Sequence, residues 1–341
     1  MTGPHPNWPE PAAPVPWYPP PGYPPYPPPP MHPVWQPGVI PLRPLSLGDI
    51  FNGSVAYVRA NPRATLGLTT VVVVITGLFA LAVQLTPEFS GVSYDDAVIL
   101  TAGGAGAIAA TALTTILLSG MLTVVVARAV MGSTISVAET WRRVRGRLLA
   151  LVGLSVLEVA AVILFIAAAV LIVVAVAQAA GGGYAALVGV PLALLLIALL
   201  AFLFTMLTFA PIALVLERKT VLGSIGRSFT LARNHFWRIL GIRVLATVVA
   251  GFAAGAVSVP FNVLGQILIM GSESTVATIV GATAAAIGQA VAQIITTPFT
   301  AGVVALLYVD ARIRSEAFDF ALRGAGGADD DIWLTDRLAP S

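Results

Sequence analysis

The chain has 341 residues, of which 57% are hydrophobic and only 10% are charged, and its formal net charge is +2. Soluble domains carry about 25% charged residues, so this composition excludes an ordinary soluble domain and indicates a membrane protein. The small positive charge does not indicate nucleic-acid binding. The sequence contains no cysteine, which excludes disulfides and thiolate metal sites.

Residues 1–44 form a proline-rich segment that holds 19 of the 26 prolines, together with three tryptophans and three tyrosines. Proline fixes φ and lacks an N–H donor, so the segment favours extended polyproline II and cannot build a core. We expect a disordered cytoplasmic tail. Extended segments of proline and aromatic residues can bind protein partners, which leaves a recruiting tail and an inert tether as alternatives.

Six apolar stretches follow, and each has the length of about 20 residues that a transmembrane helix needs. Their unbroken apolar runs exclude the alternating strands of a membrane barrel. They predict an all-α, polytopic membrane domain over 45–320, followed by a cytoplasmic C-terminal tail over 321–341. The six stretches are 65–85, 97–127, 148–179, 185–216, 239–269 and 277–309.

The basic residues predict the orientation of these six helices. The connectors after the first, third and fifth stretches (86–96, 180–184 and 270–276) contain no Lys or Arg. Basic connectors stay in the cytoplasm during membrane insertion. We therefore expect a multi-pass protein of the bacterial inner membrane with both termini in the cytoplasm.

A threefold internal repeat is indicated by amphipathic segments that precede the first, third and fifth apolar stretches. Ser46 precedes Asp49, and Ser136 precedes Glu139, at the spacing of a capping box. Each repeat unit is then one interfacial helix followed by two transmembrane helices. The basic residues of these segments are expected to contact anionic lipid headgroups; they are Arg59, Arg145, Arg147, Arg233 and Arg238.

Two groups of polar residues lie inside the apolar stretches. Glu158 in the third stretch and Arg243 near the start of the fifth are ionisable residues, which are functional candidates inside a membrane. They indicate either a proton or cation relay, or a structural role with Glu158 neutral or ion-paired to Arg243. Gln289 and Gln293, four residues apart in the sixth stretch, indicate either interhelical hydrogen bonds or a polar cavity for a lipid headgroup or solute.

A charged motif closes the sixth stretch. Asp310 and Arg314, and likewise Arg312 and Glu316, are four residues apart, so each pair can meet on one helix face. Tyr308 belongs to the same motif. The last transmembrane helix is therefore expected to continue into the cytoplasm as a charged helix.

Several stretches resemble the bacterial family of the glycerophosphoryl diester phosphodiesterase membrane domain, and actinobacterial six-span proteins with proline-rich tails. They are Pro41–Phe51, Leu214–Arg218 with Ser228–Arg238, and Leu307–Asp319, which is the most distinctive. In that family the hydrolase activity belongs to a separate soluble domain. The resemblance therefore implies a membrane module of unknown biochemical role.

No cluster of His, Asp and Glu has metal-ligand spacing, and no glycine-rich phosphate loop precedes a lysine. We therefore expect no enzyme activity, no metal and no cofactor. The leading expectation is a non-enzymatic membrane scaffold or accessory subunit that recruits a protein partner through the proline-rich tail. The alternative is a transporter or lipid-handling protein with a polar cavity around Glu158, Arg243 and Gln289.

Overall fold

The structure is a computed structural model that describes residues 38–90, 97–271, 274–324 and 330–334. The regular secondary structure of these residues is helical, in agreement with the expected all-α class. Short 3-10 helices lie at Arg145–Arg147, Arg233–His235 and Asp330–Trp333. The α-helices are α1 Leu47–Ala60, α2 Pro62–Ser90, α3 Ala97–Val130, α4 Val137–Val144, α5 Leu148–Ala180, α6 Gly182–Met206, α7 Ala210–Leu216, α8 Val221–Ala232, α9 Phe236–Met270, α10 Thr275–Glu316 and α11 Phe318–Gly324.

Five helical segments of the described residues are long and apolar enough to cross a membrane, as a multi-pass membrane protein requires. Helix α3 is 34 residues long, but its described side chains form a shorter apolar segment, Thr114–Val130. The sixth membrane crossing therefore depends on α3 and stays a prediction. The five long segments are Pro62–Leu85, Val137–Ala180, Gly182–Leu216, Val221–Met270 and Thr275–Glu316.

Three short helices start on side-chain caps. At α1 the Ser46 hydroxyl accepts from the Asp49 amide while the Asp49 carboxylate accepts from the Ser46 amide, so the predicted capping box is confirmed. The hydrogen bond from the Ser46 amide holds the pKa of Asp49 below its usual value. Ser136 caps α4 and Thr220 caps α8 in the same way, without the reciprocal bond. Each short helix leads within one to three residues into a long one.

The hydrophobic core lies at one end of the bundle, which we call the basic end. We define it by the C-terminal parts of α3, α7 and α10, together with the short helices α1, α4 and α8. Val130, Leu214 and Leu306 are all 0% exposed there. The most apolar parts of α5 and α6, by contrast, contain no buried residue. Many side chains of this hairpin, such as Leu164 and Leu195, are exposed, as expected for contact with lipid.

Residues 39–45 pack into the core at the basic end, so the expected boundary of the tail at residue 44 is too late. Ile40 and Leu42 are 0% and 3% exposed, and the amide of Val39 donates to the carbonyl of Ala129 at 3.1 Å. This stretch carries apolar side chains between its prolines, and burying them stabilises the packed conformation. The rest of the proline-rich segment lies outside the described residues.

The expected C-terminal tail also contributes to the core. Leu322 of α11 is 5% exposed and Trp333 is 2% exposed. The ring of Trp333 packs against that of Phe318, with 5.2 Å between the ring centroids. The ordered part of the chain therefore extends past the expected boundary at residue 320, because these large apolar side chains cover the end of α10.

Helices α9 and α10 pack closely where glycines leave room for the backbone. A Cβ atom at Gly265 would lie 2.5 Å from the carbonyl oxygen of Gly281, and one at Gly288 would lie 2.4 Å from the Cβ of Phe261. Any larger residue at these positions would force the helices apart. Gly251, on another part of α9, has nothing within 4 Å of such a Cβ, so that face of the helix is open.

Candidate functional site

A cavity of about 580 Å³ lies between α3, α5, α6, α9 and α10, and both Glu158 and Arg243 line it. Five hydroxyl side chains also lie in its wall, those of Thr115, Ser119, Thr208, Thr297 and Thr300. The other lining residues are mainly aliphatic. A volume of this size is in the range of small-molecule sites, which are largely apolar with a few polar groups that fix the ligand.

Arg243 is held in the cavity wall by the backbone of α6. Its Nη1 donates to the carbonyl of Phe204 and to the hydroxyl of Thr208, each at 2.5 Å. The guanidinium carbon also lies 3.4 Å from the centroid of the Phe204 ring, a cation–π contact. These three contacts fix the position of the charge beside the cavity.

The Phe204 carbonyl can accept from Arg243 because the helix ladder is broken at this point. Helix α6 ends at Met206 and α7 begins at Ala210 with Pro211 in its first turn. The amide of Thr208, which would donate to Phe204 in a continuous helix, donates to the carbonyl of Thr205 instead at 3.3 Å. Broken helices with freed backbone groups frame many transport sites.

A serine from α8 makes hydrogen bonds to two other backbone groups at the break between α6 and α7. The Ser228 hydroxyl donates to the carbonyl of Met206 at 2.5 Å and accepts from the amide of Phe209 at 3.0 Å. Ser228 is 0% exposed. The break between α6 and α7 is therefore a hydrogen-bonded part of the fold, and it positions the backbone that holds Arg243.

Glu158 faces the same cavity from α5 and is half-buried. Among the described residues it makes no hydrogen bond and no ion pair within 4.0 Å, including none with Arg243. The direct pair that the sequence left open is thus absent from the described geometry. The cavity instead holds an acid and an arginine on different walls, α5 and α9.

Gln289 and Gln293 line a second cavity of about 580 Å³, between α2, α3, α9 and α10. The two cavities share Thr115 and Thr297 in their walls. Gln289 therefore does not belong to the wall around Glu158 and Arg243. The second cavity presents uncharged amides and hydroxyls; its polar lining residues are Thr76, Gln84, Thr114, Thr115, Asn262, Gln289, Gln293 and Thr297.

The first cavity lies in the part of the chain that matches a known family profile, residues 77–311, and so does the second apart from Val73 and Thr76. The chain belongs to the DUF7847 family, described as a domain of unknown function. No curated protein and no solved structure matches the chain. Membership of the DUF7847 family therefore assigns no function to the chain.

At the basic end of the DUF7847 region, Asp310 joins three parts of the chain. It accepts from the Leu45 amide at 2.8 Å, from Arg238 at 3.1 Å and from Arg314 at 2.9 Å. The Leu45 carbonyl accepts from Arg238 at 2.6 Å and from Arg314 at 3.2 Å. Arg238, expected at lipid headgroups, thus anchors the segment before α1 to α10.

A second charged cluster surrounds Tyr308. Its hydroxyl donates to the carboxylate of Glu217 at 2.6 Å, and Arg227 donates to both oxygens of Glu217, at 2.9 and 3.0 Å. Arg227 also forms an ion pair with Glu316, which accepts from Arg312 at 2.9 Å. Two acids and two arginines are thus balanced within one cluster.

Arg312 is the most buried cation of this cluster, at 0% exposure. Its Nη1 donates to the carbonyl of Trp333 at 3.2 Å, and its guanidinium stacks 3.9 Å from the centroid of the Phe318 ring. The sequence indicated the pairs within α10 but missed Glu217, Arg227 and Trp333. The only available signal for Glu217 was its place in the stretch Leu214–Arg218.

The remaining basic residues of the short helices differ in exposure. Arg59, Arg145 and Arg233 are exposed. Arg147 is half-buried and donates to the carbonyl of Lys219 at 3.4 Å. The three exposed residues remain available for the expected contacts with lipid headgroups.

Proposed function

We propose that the protein is a non-enzymatic inner-membrane protein whose helical bundle binds an amphiphilic ligand from the bilayer. The supporting observation is the cavity that holds Glu158 and Arg243 apart within a largely aliphatic wall. A charge among apolar helices is costly and is retained mainly where it serves function. The proposal therefore takes the lipid-handling alternative ahead of the scaffold.

The position of Arg243 at the helix break supports this proposal. The break lets the Phe204 carbonyl and the Thr208 hydroxyl hold the guanidinium beside the cavity. Polar headgroup atoms would contact Arg243, and acyl chains would contact the aliphatic wall. No group in the described cavity wall is arranged as a nucleophile with a base, so the proposal includes no reaction.

The proposal includes six transmembrane helices, arranged as three repeats of one short and two long helices. Helix α3 supplies the sixth crossing, supported by its length of 34 residues. We propose that the basic end faces the cytoplasm, where Arg59, Arg145 and Arg233 would meet anionic headgroups. Cysteines at Gly182 and Ser274 should then react with an impermeant thiol reagent in intact spheroplasts, while a cysteine at Arg142 should not.

The ligand proposal is tested by the lipids that remain bound to the purified protein. Arg243→Gln removes the cation, whereas Arg145→Gln removes an exposed arginine far from the cavity wall. We expect the first variant, and not the second, to lose a bound amphiphile that native mass spectrometry detects in the full-length protein. The same lipids at the same occupancy in all three proteins would refute the proposal.

A second candidate function is the recruitment of a protein partner by the proline-rich segment. Its 19 prolines and interspersed aromatic residues support this, since rigid extended chains bind with a small loss of entropy. Co-purification from native membranes compares the full-length chain with a deletion of residues 2–34. Identical sets of retained proteins at equal yield would refute recruitment.

A further inference from the structure

We infer that the ligand of the Glu158–Arg243 cavity is zwitterionic, with its anionic group at Arg243 and a primary ammonium group at Glu158. This inference rests on the proposed function and specifies its ligand class. The two side chains line one cavity from different helices and form no ion pair within 4.0 Å. No direct contact therefore joins the two side chains, and a ligand that enters the cavity can contact both.

Charge balance selects a ligand of zero net charge. A buried charge without a partner is strongly destabilising. A purely anionic ligand would neutralise Arg243 and leave Glu158 unbalanced, and a purely cationic ligand would do the reverse. A ligand with separated charges of both signs neutralises both walls at once.

Arg243 and Glu158 both have hydrogen-bonding groups that the described residues leave unused and that a zwitterionic ligand could bind. Arg243 uses Nη1 for Phe204 and Thr208, whereas its Nε and Nη2 make no hydrogen bond to the described residues. A guanidinium with free donors binds a phosphate or carboxylate. Glu158 accepts no hydrogen bond from the described residues, and an ammonium group supplies up to three donors.

The wall also favours a primary over a quaternary ammonium group. Quaternary ammonium groups are recognised by the faces of several aromatic rings. Among the described lining residues the aromatic ring is that of Phe204, and Arg243 already covers it at 3.4 Å. Aliphatic side chains such as Val162, Leu200 and Leu240 complete the wall, so the ligand carries acyl chains as well as the zwitterionic headgroup.

The experiment uses the full-length protein in nanodiscs with equal amounts of phosphatidylethanolamine, phosphatidylcholine and phosphatidylglycerol. We expect the wild-type protein to retain phosphatidylethanolamine at least about tenfold over the other two, as measured by native mass spectrometry. Glu158→Gln should remove the preference over phosphatidylglycerol, and Arg243→Gln should lower retention of all three lipids. Glu139→Gln, an acid paired with Arg143 outside the cavity wall, is the matched control.

The outcomes separate this inference from the proposed function. The wild-type protein could retain phosphatidylglycerol and phosphatidylethanolamine equally, and Arg243→Gln could lose both. That result would overturn the inference of a zwitterionic ligand and would support the proposed function, the binding of an amphiphile. Retention that does not depend on Arg243 would overturn both. Displacement by soluble glycerophosphoethanolamine, which carries one negative and one positive charge, would keep the zwitterionic class and overturn the membrane source.

A fourth variant keeps the test valid if Arg243→Gln does not fold. Ala161→Phe fills the cavity from α5 without changing a charge. It should abolish retention of phosphatidylethanolamine while the protein still purifies as a monodisperse species. Undiminished retention in a folded Ala161→Phe protein would show that the lipid binds elsewhere and would overturn the inference.

Discussion

Acids and arginines contact each other at the basic end, whereas in the cavity between the apolar helices they are held apart. Glu217 accepts from Tyr308 and Arg227, and Asp310 accepts from the backbone and from two arginines. Glu158 has no such partner among the described residues. The comparison distinguishes charges that the fold itself satisfies from charges that await a ligand.

The physical reason lies in what covers each region. The basic end is enclosed by residues 39–45, α8, α11 and the 3-10 helix Asp330–Trp333, which supply donors, acceptors and apolar cover. The cavity is bordered by the α5–α6 hairpin, whose most apolar parts contain no buried residue. The hydrogen bonds and ion pairs of the basic end rigidify the fold there, although Nη2 of Arg312 is buried and makes no hydrogen bond to the described residues. An open wall can accept a ligand.

The largest effect is expected from removing the cover of the basic end. Deleting residues 2–44 removes Ile40 and Leu42, which are 0% and 3% exposed. The loss should be roughly 3–6 kcal/mol, from about 1.5–3 kcal/mol for each buried side chain. A deletion of residues 2–34 removes 16 prolines but leaves Ile40 and Leu42 in place, so it should leave the melting temperature in detergent nearly unchanged. Equal melting temperatures for the two deletions would show that residues 39–44 do not stabilise the bundle.

The next effect comes from unbalancing the cluster around Tyr308. Glu217→Gln keeps the shape of a side chain that is 4% exposed and leaves Arg227 and Arg312 with one acid, Glu316. Breaking a buried pair costs about 3–5 kcal/mol, so the melting temperature should fall sharply. Glu139→Gln removes one exposed pair on α4 and should cost less than about 1 kcal/mol. Similar losses in the two variants would mean that the cluster is not the stabilising element.

Packing density offers a third comparison, between two glycines. A Cβ at Gly302 would lie 2.4 Å from Cε1 of Tyr57, whose hydroxyl is fixed by a 2.5 Å hydrogen bond to the carbonyl of Pro298. Gly302→Ala should therefore cost about 1–3 kcal/mol. Gly251→Ala has nothing within 4 Å and should be neutral or stabilising, since alanine is a better helix former by about 1 kcal/mol. A stabilising Gly302→Ala would contradict the tight contact of α1 with α10.

Local patterns in the sequence predicted the local structure correctly. The cap at Ser46 and the charged pairs within α10 depend on residues three or four positions apart, and the structure contains them. The contacts between Tyr308 and Glu217 and between Leu45 and Asp310 span 91 and 265 positions. No periodicity carries that information, because it depends on how the helices pack.

The same limit applies to the polar residues inside the bundle. Sequence spacing placed Gln289 with Glu158 in one expected cavity, but the structure assigns them to two cavities that meet at Thr115 and Thr297. The partners of Arg243 were also missed. They are the carbonyl of Phe204, which loses its amide donor at the break before α7, and the hydroxyl of Thr208, which also donates to that carbonyl at 2.9 Å. Pro211 was the available signal, because a proline inside an apolar stretch marks a disrupted helix ladder.

The smallest effect is expected for the coupling between Glu158 and Arg243 in protein stripped of lipid. Arg243→Gln loses the bonds to Phe204 and Thr208 and should be the more destabilising single change. The two side chains form no pair within 4.0 Å. The double-mutant cycle should therefore give a coupling energy smaller than that of close charge pairs, which is at least about 1.5 kcal/mol. Glu158→Gln alone should then change the melting temperature little.

A large coupling energy between Glu158 and Arg243 would mean that the cavity does not differ from the basic end in how its charges are paired. It would mean that Glu158 and Arg243 close on each other in solution, as Glu217 and Arg227 do at 2.9 Å, and that the cavity needs no charged ligand. The cycle should therefore be repeated after adding phosphatidylethanolamine. If both charges contact one headgroup, the ligand-dependent increase in melting temperature should be reduced in Glu158→Gln and lost in Arg243→Gln and in the double variant. An undiminished increase in Glu158→Gln would place the lipid on Arg243 alone.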